Sequence, residues 1–239
     1  MNHKVYDIHA HIAPAIDDGA VDLDMSMEML KMAHSQGTRA IVCTSHIGFD
    51  VDEYCKNIHV LQSEITNNDL DINVFEGCEI YCNFKCMHKI ISWLNNKLVP
   101  TINKTKYVLV EFDPWESLEN IALCVSTLNL NRYKVIIAHV ERYNNLFDGN
   151  KLAAAAQEMH CLIQVNAYSL VDERNEHIKA RARKMLEDKY ISFIGSDAHR
   201  TDHRTYLVEH GVEYIYNNCD INYADDICYK NAERILNMY

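Results

Sequence analysis

The chain has 239 residues, 48% hydrophobic and 24% charged, which is apolar enough to bury a sizeable core. Only 7 Gly and 3 Pro exclude a collagenous or low-complexity chain, and a net charge of −11 argues against a nucleic-acid surface, which needs a basic stripe. No apolar run approaches the roughly 18 residues of a membrane span, and Asp7, His9 and His11 precede any apolar signal core, so a soluble cytoplasmic protein is expected.

Short apolar runs alternate with longer helical patterns, the arrangement of βα units around a largely parallel sheet. No repeat or linker interrupts them, so residues 1–239 are read as a single α/β domain. The first run, Val5–Ile8, leads into His9 and His11. A helix follows over 24–36, where Met25, Met29 and Met32 form a core-facing stripe. Arg39–Cys43 leads through Thr44-Ser45 into His46, before a helix over 52–67. Ile72–Phe75 is followed by Glu79 and a helix over 83–96, and Tyr107–Val110 by Glu111 and a helix over 116–129. Lys134–Ala138 ends at His139, with a helix over 150–159; Cys161–Val165 ends at Asn166, with a helix over 174–189. Ile191–Ile194 runs into Asp197 and His199, and a last helix is expected over 223–237. Polar, mostly metal-competent side chains thus sit just past the C-terminal end of all seven runs. Parallel strands in a barrel bring those ends to one mouth, where barrel enzymes keep their chemistry.

Asp7-Ile8-His9-Ala10-His11 places two imidazoles two residues apart, and Asp197 and His199 repeat that spacing. Extended residues two apart project to the same side, so each pair can reach one ion. His, Asp and Glu ligands without Cys suit manganese, iron or zinc in a catalytic site. The nine cysteines are odd in number and contain no Cys-x-x-Cys pair, which points to reduced thiols. Cys228 and Arg234 have the spacing of a cysteine phosphatase loop, but Tyr-Lys-Asn-Ala-Glu between them supplies no glycine and reads as helix. Asp17-Asp18-Gly19 reads as a turn. Asp7 is expected to orient His9 or His11 by accepting a ring N–H, and Asn166 to cap its strand or line the site.

Together with Ile16-Asp17-Asp18-Gly19, Thr44-Ser45-His46, Gly77-Cys78-Glu79-Ile80, Val110-Glu111-Phe112, Ala138-His139-Val140-Glu141-Arg142-Tyr143, Gln164-Val165-Asn166 and Ser196-Asp197-Ala198-His199, these stretches carry a resemblance. The chain resembles the polymerase-and-histidinol-phosphatase (PHP) superfamily, and more closely its bacterial capsule-locus protein-tyrosine phosphatases. The segment after His46 is shorter than that pattern, and Val140 stands where a Pro is often found.

The resemblance implies a distorted seven-stranded (β/α) barrel with three metal ions, manganese first, with iron or zinc as alternatives. His9, His11, Glu79 and Asp197 would hold one ion; Glu79, Glu111 and His139 a second; and Asp18, His46 and His199 the third. Arg142 and Arg204 would match phosphate-binding arginines. The implied activity is hydrolysis of phosphotyrosine by a metal-bound hydroxide, with a bacterial tyrosine kinase of capsule or exopolysaccharide synthesis as the partner. A phosphatase of a small metabolite such as histidinol phosphate is the alternative, and a non-catalytic regulatory domain a third reading. Charge supports the first two. Three divalent ions against the carboxylates of Asp18, Glu79, Glu111 and Asp197 leave a positive centre for a phosphate that is nearly dianionic at neutral pH.

Overall fold

All seven expected runs are strands, and the computed structural model shows what each one pairs with. It describes residues 3–144 and 151–238; position 150, the expected start of a helix, lies outside them. Strands β1 (Val5–Ala10), β2 (Thr38–Cys43) and β3 (Asn73–Glu76) form one parallel sheet in that order. Strands β4 (Glu79–Tyr81), β5 (Tyr107–Glu111), β6 (Lys134–Ile137), β7 (Leu162–Asn166) and β8 (Phe193–Gly195) form a second.

The count is therefore eight among the described residues, not seven, because a further short strand, β4, follows the third run. Tyr54 sits at the break between β3 and β4. Its hydroxyl donates to the Cys43 carbonyl at 2.6 Å and accepts the Gly77 N–H at 3.0 Å, where the backbone leaves the β2 ladder. Beyond Cys78 the chain resumes as β4 with a new partner, Tyr81 opposite Glu111 on β5.

The two sheets touch at two seams, one just past the ends of β1 and β8 and the other between the residues after β2 and the first residue of β4. At one, Ala10 bridges Ala198, the His11 N–H donates to the Ala198 carbonyl and the Asp197 N–H to the His9 carbonyl, each at 2.8 Å. At the other, His46 bridges Glu79, whose N–H donates to the Ser45 carbonyl at 3.1 Å. These seams put the metal-competent residues of different strands side by side.

Between the sheets, Ile8, Val42, Leu109, Ile136 and Phe193 form one buried apolar cluster. Their neighbours along each strand pack outward under the helices, as strand alternation requires. The helices are α1 (Leu23–Ser35), α2 (Val51–Asn67), α3 (Met87–Asn95), α4 (Leu118–Leu130), α5 (Lys151–Glu158), α6 (Glu176–Glu187), α7 (Glu209–Asn218), α8 (Ile221–Asp225) and α9 (Asn231–Leu236). Asp22, Asp50, Ser117 and Asn175 cap α1, α2, α4 and α6 by accepting first-turn N–H groups.

Helix α7 is absent from the sequence reading. It contains Gly211, a poor helix former, which faces the Ala167 carbonyl so closely that a Cβ would stand 2.0 Å from its oxygen. The helix expected over 223–237 is α8 and α9 joined through a π-helical turn at Asp226–Lys230. Ile235 and Leu236 of α9 pack into the inter-sheet cluster beside Tyr107 and Leu162, the first residues of β5 and β7. They close the end opposite the site. Among the described residues, no helix is long and apolar enough to cross a membrane.

Candidate metal centre

Glu79, 1% exposed at the start of β4, is the hub of the site. Its Oε1 lies 3.2 Å from His9 Nε2 and 3.0 Å from His139 Nε2. Its Oε2 lies 3.3 Å from His11 Nε2 and 3.4 Å from His46 Nδ1. Glu111 completes that side, 3.5 Å from His46 Nδ1 and 3.6 Å from His139 Nε2. Asp197 Oδ1 stands 3.5 Å from His9 Nε2 and 3.7 Å from His11 Nε2. Asp18 Oδ1 stands 3.8 Å from His46 Nε2 and 3.6 Å from His199 Nε2. All nine side chains expected to share a site are therefore neighbours, although the chain separates the first and last by 190 positions.

These separations fit cations. Ligands about 2.1 Å from an ion stand about 3.0–3.4 Å apart at octahedral to tetrahedral angles. Four overlapping groups have ligand atoms within 4.8 Å of one another: His9, His11, Asp197; His9, Glu79, His139; His46, Glu79, Glu111; and His11, Asp18, His46, His199. The grouping differs from the expected one: Glu79 and His139 gather with His9, and not with Asp197 or Glu111 respectively. His46 faces Glu79 and Glu111 as well as Asp18, and His11 joins the Asp18 group.

The ring orientations have partners that the sequence did not reveal. Gln164 Oε1 accepts from His9 Nδ1 at 3.0 Å and from the His139 N–H at 2.8 Å. Its amide nitrogen donates to Asn166 Oδ1 at 2.8 Å, and Asn166 donates in turn to Asp197 Oδ2 at 3.1 Å. Asp17 accepts from His11 Nδ1 at 2.7 Å and from the backbone N–H groups of His46 and Gly19. Asp7, by contrast, takes no ring N–H; it accepts the backbone N–H groups of His9 and Ser196, both at 3.0 Å, and so pins β1 to the end of β8. Asn166 reaches the site through Asp197. Glu141, fully buried, accepts the Asn166 N–H and the Ser169 hydroxyl and fixes the end of β7.

With each Nδ1 hydrogen bonded outward, His9 Nε2 and His11 Nε2 are buried with no hydrogen-bond partner and face carboxylates. Two acceptors that meet in a buried site need a cation or a proton between them. In the metal-free chain that charge is a proton. Burial alone would lower the His11 pKa, but the hydrogen bond to Asp17 and the Glu79 carboxylate beside Nε2 raise it to about 10. Burial would raise Asp197; His9 and Arg142 outweigh it and hold the carboxyl far below its usual range. His199 is pushed down to about 4 by burial, His11 and Arg204, so it is a neutral ligand at pH 7.

Both arginines arrive through Asp197. Arg142 Nη1 is 2.7 Å from Asp197 Oδ2, and Arg204 Nη2 is 2.6 Å from Oδ1, with Nη1 donating to His199 Nε2 at 2.7 Å. Each side chain keeps about a third of its surface exposed, facing the opening. Arg200 turns away and donates to the Asp18 carbonyl. His139, Asp197 and Arg204 have φ of 30°, 53° and 49°, in the left-handed region.

The cysteine alternative fails on geometry. Cys228 is buried in the π-helical turn, burial raises its pKa, and Arg234 binds Asp226 and Asn231.

Gly195 tests the support beneath the site. A Cβ there would stand 2.7 Å from Gln164 Nε2 and 2.8 Å from His9 Cβ, both held by the network above. Gly195→Ala is expected to destabilise the protein by about 1–3 kcal/mol, as overpacking does, and to weaken metal binding. Thermal unfolding with and without added Mn²⁺ measures both effects; an unchanged melting temperature would mean that His9 and Gln164 can yield.

Residues 5–237 match the family model for capsular polysaccharide synthesis, CpsB/CapC. The tyrosine-protein phosphatase CpsB of Streptococcus agalactiae serotype III (strain NEM316) is 29% identical over 240 residues, spanning 96% of this chain and 97% of that protein. The tyrosine-protein phosphatase YwqE of Bacillus subtilis (strain 168) is 30% identical over 239 residues, spanning 96% and 91%. A crystal structure from the work on Bacillus subtilis YwqE and Streptococcus pneumoniae CpsB, described as unique metal-dependent tyrosine phosphatases, has a TM-score of 0.87 at 26% identity, covering 97% of this chain and 94% of that one. The zinc-containing histidinol phosphate phosphatase of Lactococcus lactis shares the fold, with a TM-score of 0.60 at 14% identity over 90% and 93% of the two chains. The chain belongs to the CpsB/CapC family of capsular polysaccharide synthesis.

Proposed function

We propose that this chain is a metal-dependent phosphotyrosine-protein phosphatase. The carrying observation is Glu79 ringed by four imidazoles, with Arg142 and Arg204 reaching the same centre through Asp197. The eight strands would form one distorted barrel, closed through the Ala10–Ala198 and His46–Glu79 bridges, as a single domain over the whole chain. His9, His11, Asp18, His46, Glu79, Glu111, His139, Asp197 and His199 would hold three divalent ions, with manganese as the first candidate and iron or zinc next.

Bound divalent ions supply Lewis-acid charge and bring the pKa of water towards neutrality. The residues of the chain do the rest. Gln164 and Asp17 fix the tautomers of His9 and His11, so that each Nε2 lone pair faces inward. Asp18, Glu79, Glu111 and Asp197 provide anionic ligands, and without cations they would repel a phosphate. Arg142 and Arg204, about a third exposed at the opening, bind phosphate oxygens with a fork that matches their geometry. Arg204 Nη1 holds the same His199 Nε2 that a third ion would need, so this arginine is free for phosphate only once that nitrogen is taken. By resemblance, the natural substrate is a bacterial tyrosine kinase of the capsule or exopolysaccharide locus, met in the cytoplasm.

The alternative, a phosphatase of a small metabolite, is separated by kcat/KM for a phosphotyrosyl peptide against L-histidinol phosphate. The peptide is expected to be the better substrate; a preference for histidinol phosphate would reverse the assignment.

Metal binding should release protons. His11 keeps its proton up to about 10 in the metal-free chain, so at neutral pH an ion at Nε2 must displace it; His199, at about 4, has none to lose. Affinity for Mn²⁺ should therefore rise between pH 6 and 8, about tenfold per pH unit for that one proton. Calorimetry in buffers of different ionisation enthalpy counts the protons, and zero release would contradict this state of His11.

A further inference from the structure

Glu79 and Tyr81 lie two residues apart on β4, so they project to the same side of the sheet, with buried Ile80 between them facing the other way. Glu79 is sealed at the metal centre, while Tyr81, one step further along the strand, is 43% exposed. Both line one cavity of about 290 Å³ with Glu111, His139, Arg142 and Arg204. Phe112 and Tyr143 also line it but are fully buried, the Tyr143 hydroxyl accepting the Phe112 N–H at 2.9 Å, so neither ring is free to meet a ligand. Pro114 adds an apolar wall, and its carbonyl accepts the Asn144 N–H at 2.7 Å, which holds the loop in place. The floor of the cavity is charged and its rim carries one open aromatic ring.

We infer that Tyr81 is the residue that selects aryl over alkyl phosphate esters, its ring lying against the phenyl ring of the substrate at the mouth of the cavity. A phosphate at the two arginines directs its ester oxygen outward, and an aryl group there meets Tyr81 and Pro114. A short alkyl ester does not extend that far. Offset or edge-to-face packing of two rings favours the aryl ester beyond simple burial. A second cavity beside Arg142 and Arg204 also has an aromatic residue, Tyr168, but its ring is covered by Arg174, 5.5 Å from the ring centroid. This assignment rests on the phosphatase reading above.

The test compares kcat/KM for phenyl phosphate with kcat/KM for glycerol 2-phosphate in the metal-loaded protein. Tyr81→Ala should lower the aryl-to-alkyl ratio about tenfold, and Tyr81→Phe should keep it within about twofold, since the ring and not the hydroxyl makes the contact. Metal content and melting temperature should match the parent, because the Tyr81 ring is exposed and its truncation leaves the backbone pairing with Glu111 in place. An unchanged ratio in Tyr81→Ala, or a fall in Tyr168→Ala in its place, would overturn the assignment alone. A parent protein that hydrolyses neither ester would overturn the phosphatase reading and this assignment with it.

Discussion

Glu79→Ala is expected to abolish hydrolysis and strip the site of metal. Among the described residues, its carboxylate alone lies within 3.5 Å of four of the imidazoles, those of His9, His11, His46 and His139. In the metal-free chain the Glu79 carboxylate raises the pKa of His9 and His11 against the effect of their burial, and burial raises what each unpaired charge costs. Its removal leaves adjacent cations unscreened, whether protons or metal ions. The loss in kcat/KM should be about a thousandfold or more, accompanied by metal loss, and the metal-free protein should lose about 3–5 kcal/mol, as when one partner of a buried pair is deleted. Elemental analysis, kinetics and thermal unfolding on one preparation check all three. Full metal occupancy with activity within tenfold of the parent would remove Glu79 from the centre of the site.

Arg142→Ala should do the opposite to metal and nearly as much to rate. Arg142 pairs with Asp197 Oδ2, while Arg204 holds Oδ1, so Asp197 keeps one cationic neighbour after truncation and metal content should stay normal. What is lost is a donor to phosphate oxygens as charge develops on them, worth about 2–4 kcal/mol in kcat/KM, or about 30- to 1000-fold. Arg142→Lys should recover part of this, since an ammonium lacks the bidentate fork. A silent Arg142→Ala with metal intact would pass the phosphate contact to Arg204, since Arg200 faces the Asp18 carbonyl.

Eight of the nine residues of the centre were legible in the sequence because each follows an apolar run, and parallel strands gather their C-terminal ends; Asp18, in the turn at Asp17-Asp18-Gly19, came only from the family resemblance. That rule needs no knowledge of partners. What it could not supply was anything that depends on two strands meeting. Gln164 was visible two residues before Asn166 on the same strand, yet its role depends on His9, 155 positions away. Asp17 read as a turn residue, and it does accept the Gly19 N–H; its bond to His11 appears only when the Ile16–Gly19 segment folds over β1. Asp7 was assigned a ring it does not touch, because spacing cannot distinguish a backbone N–H from an imidazole N–H. The extra strand at Glu79–Tyr81 was missed as well, since the break before it is marked by the Tyr54 hydroxyl, placed by a helix that precedes it. The grouping of ligands also escaped one-dimensional reading, since His46 presents both ring nitrogens to carboxylates on opposite sides.

The most direct test of the account is hydrolysis of a phosphotyrosyl peptide by chelator-treated protein, followed during titration with Mn²⁺. Activity should vanish on chelation and return as ions refill the site, saturating at three per chain, with the same titration leaving Glu79→Ala inactive. Hydrolysis that survives complete removal of metal would contradict the account at its centre.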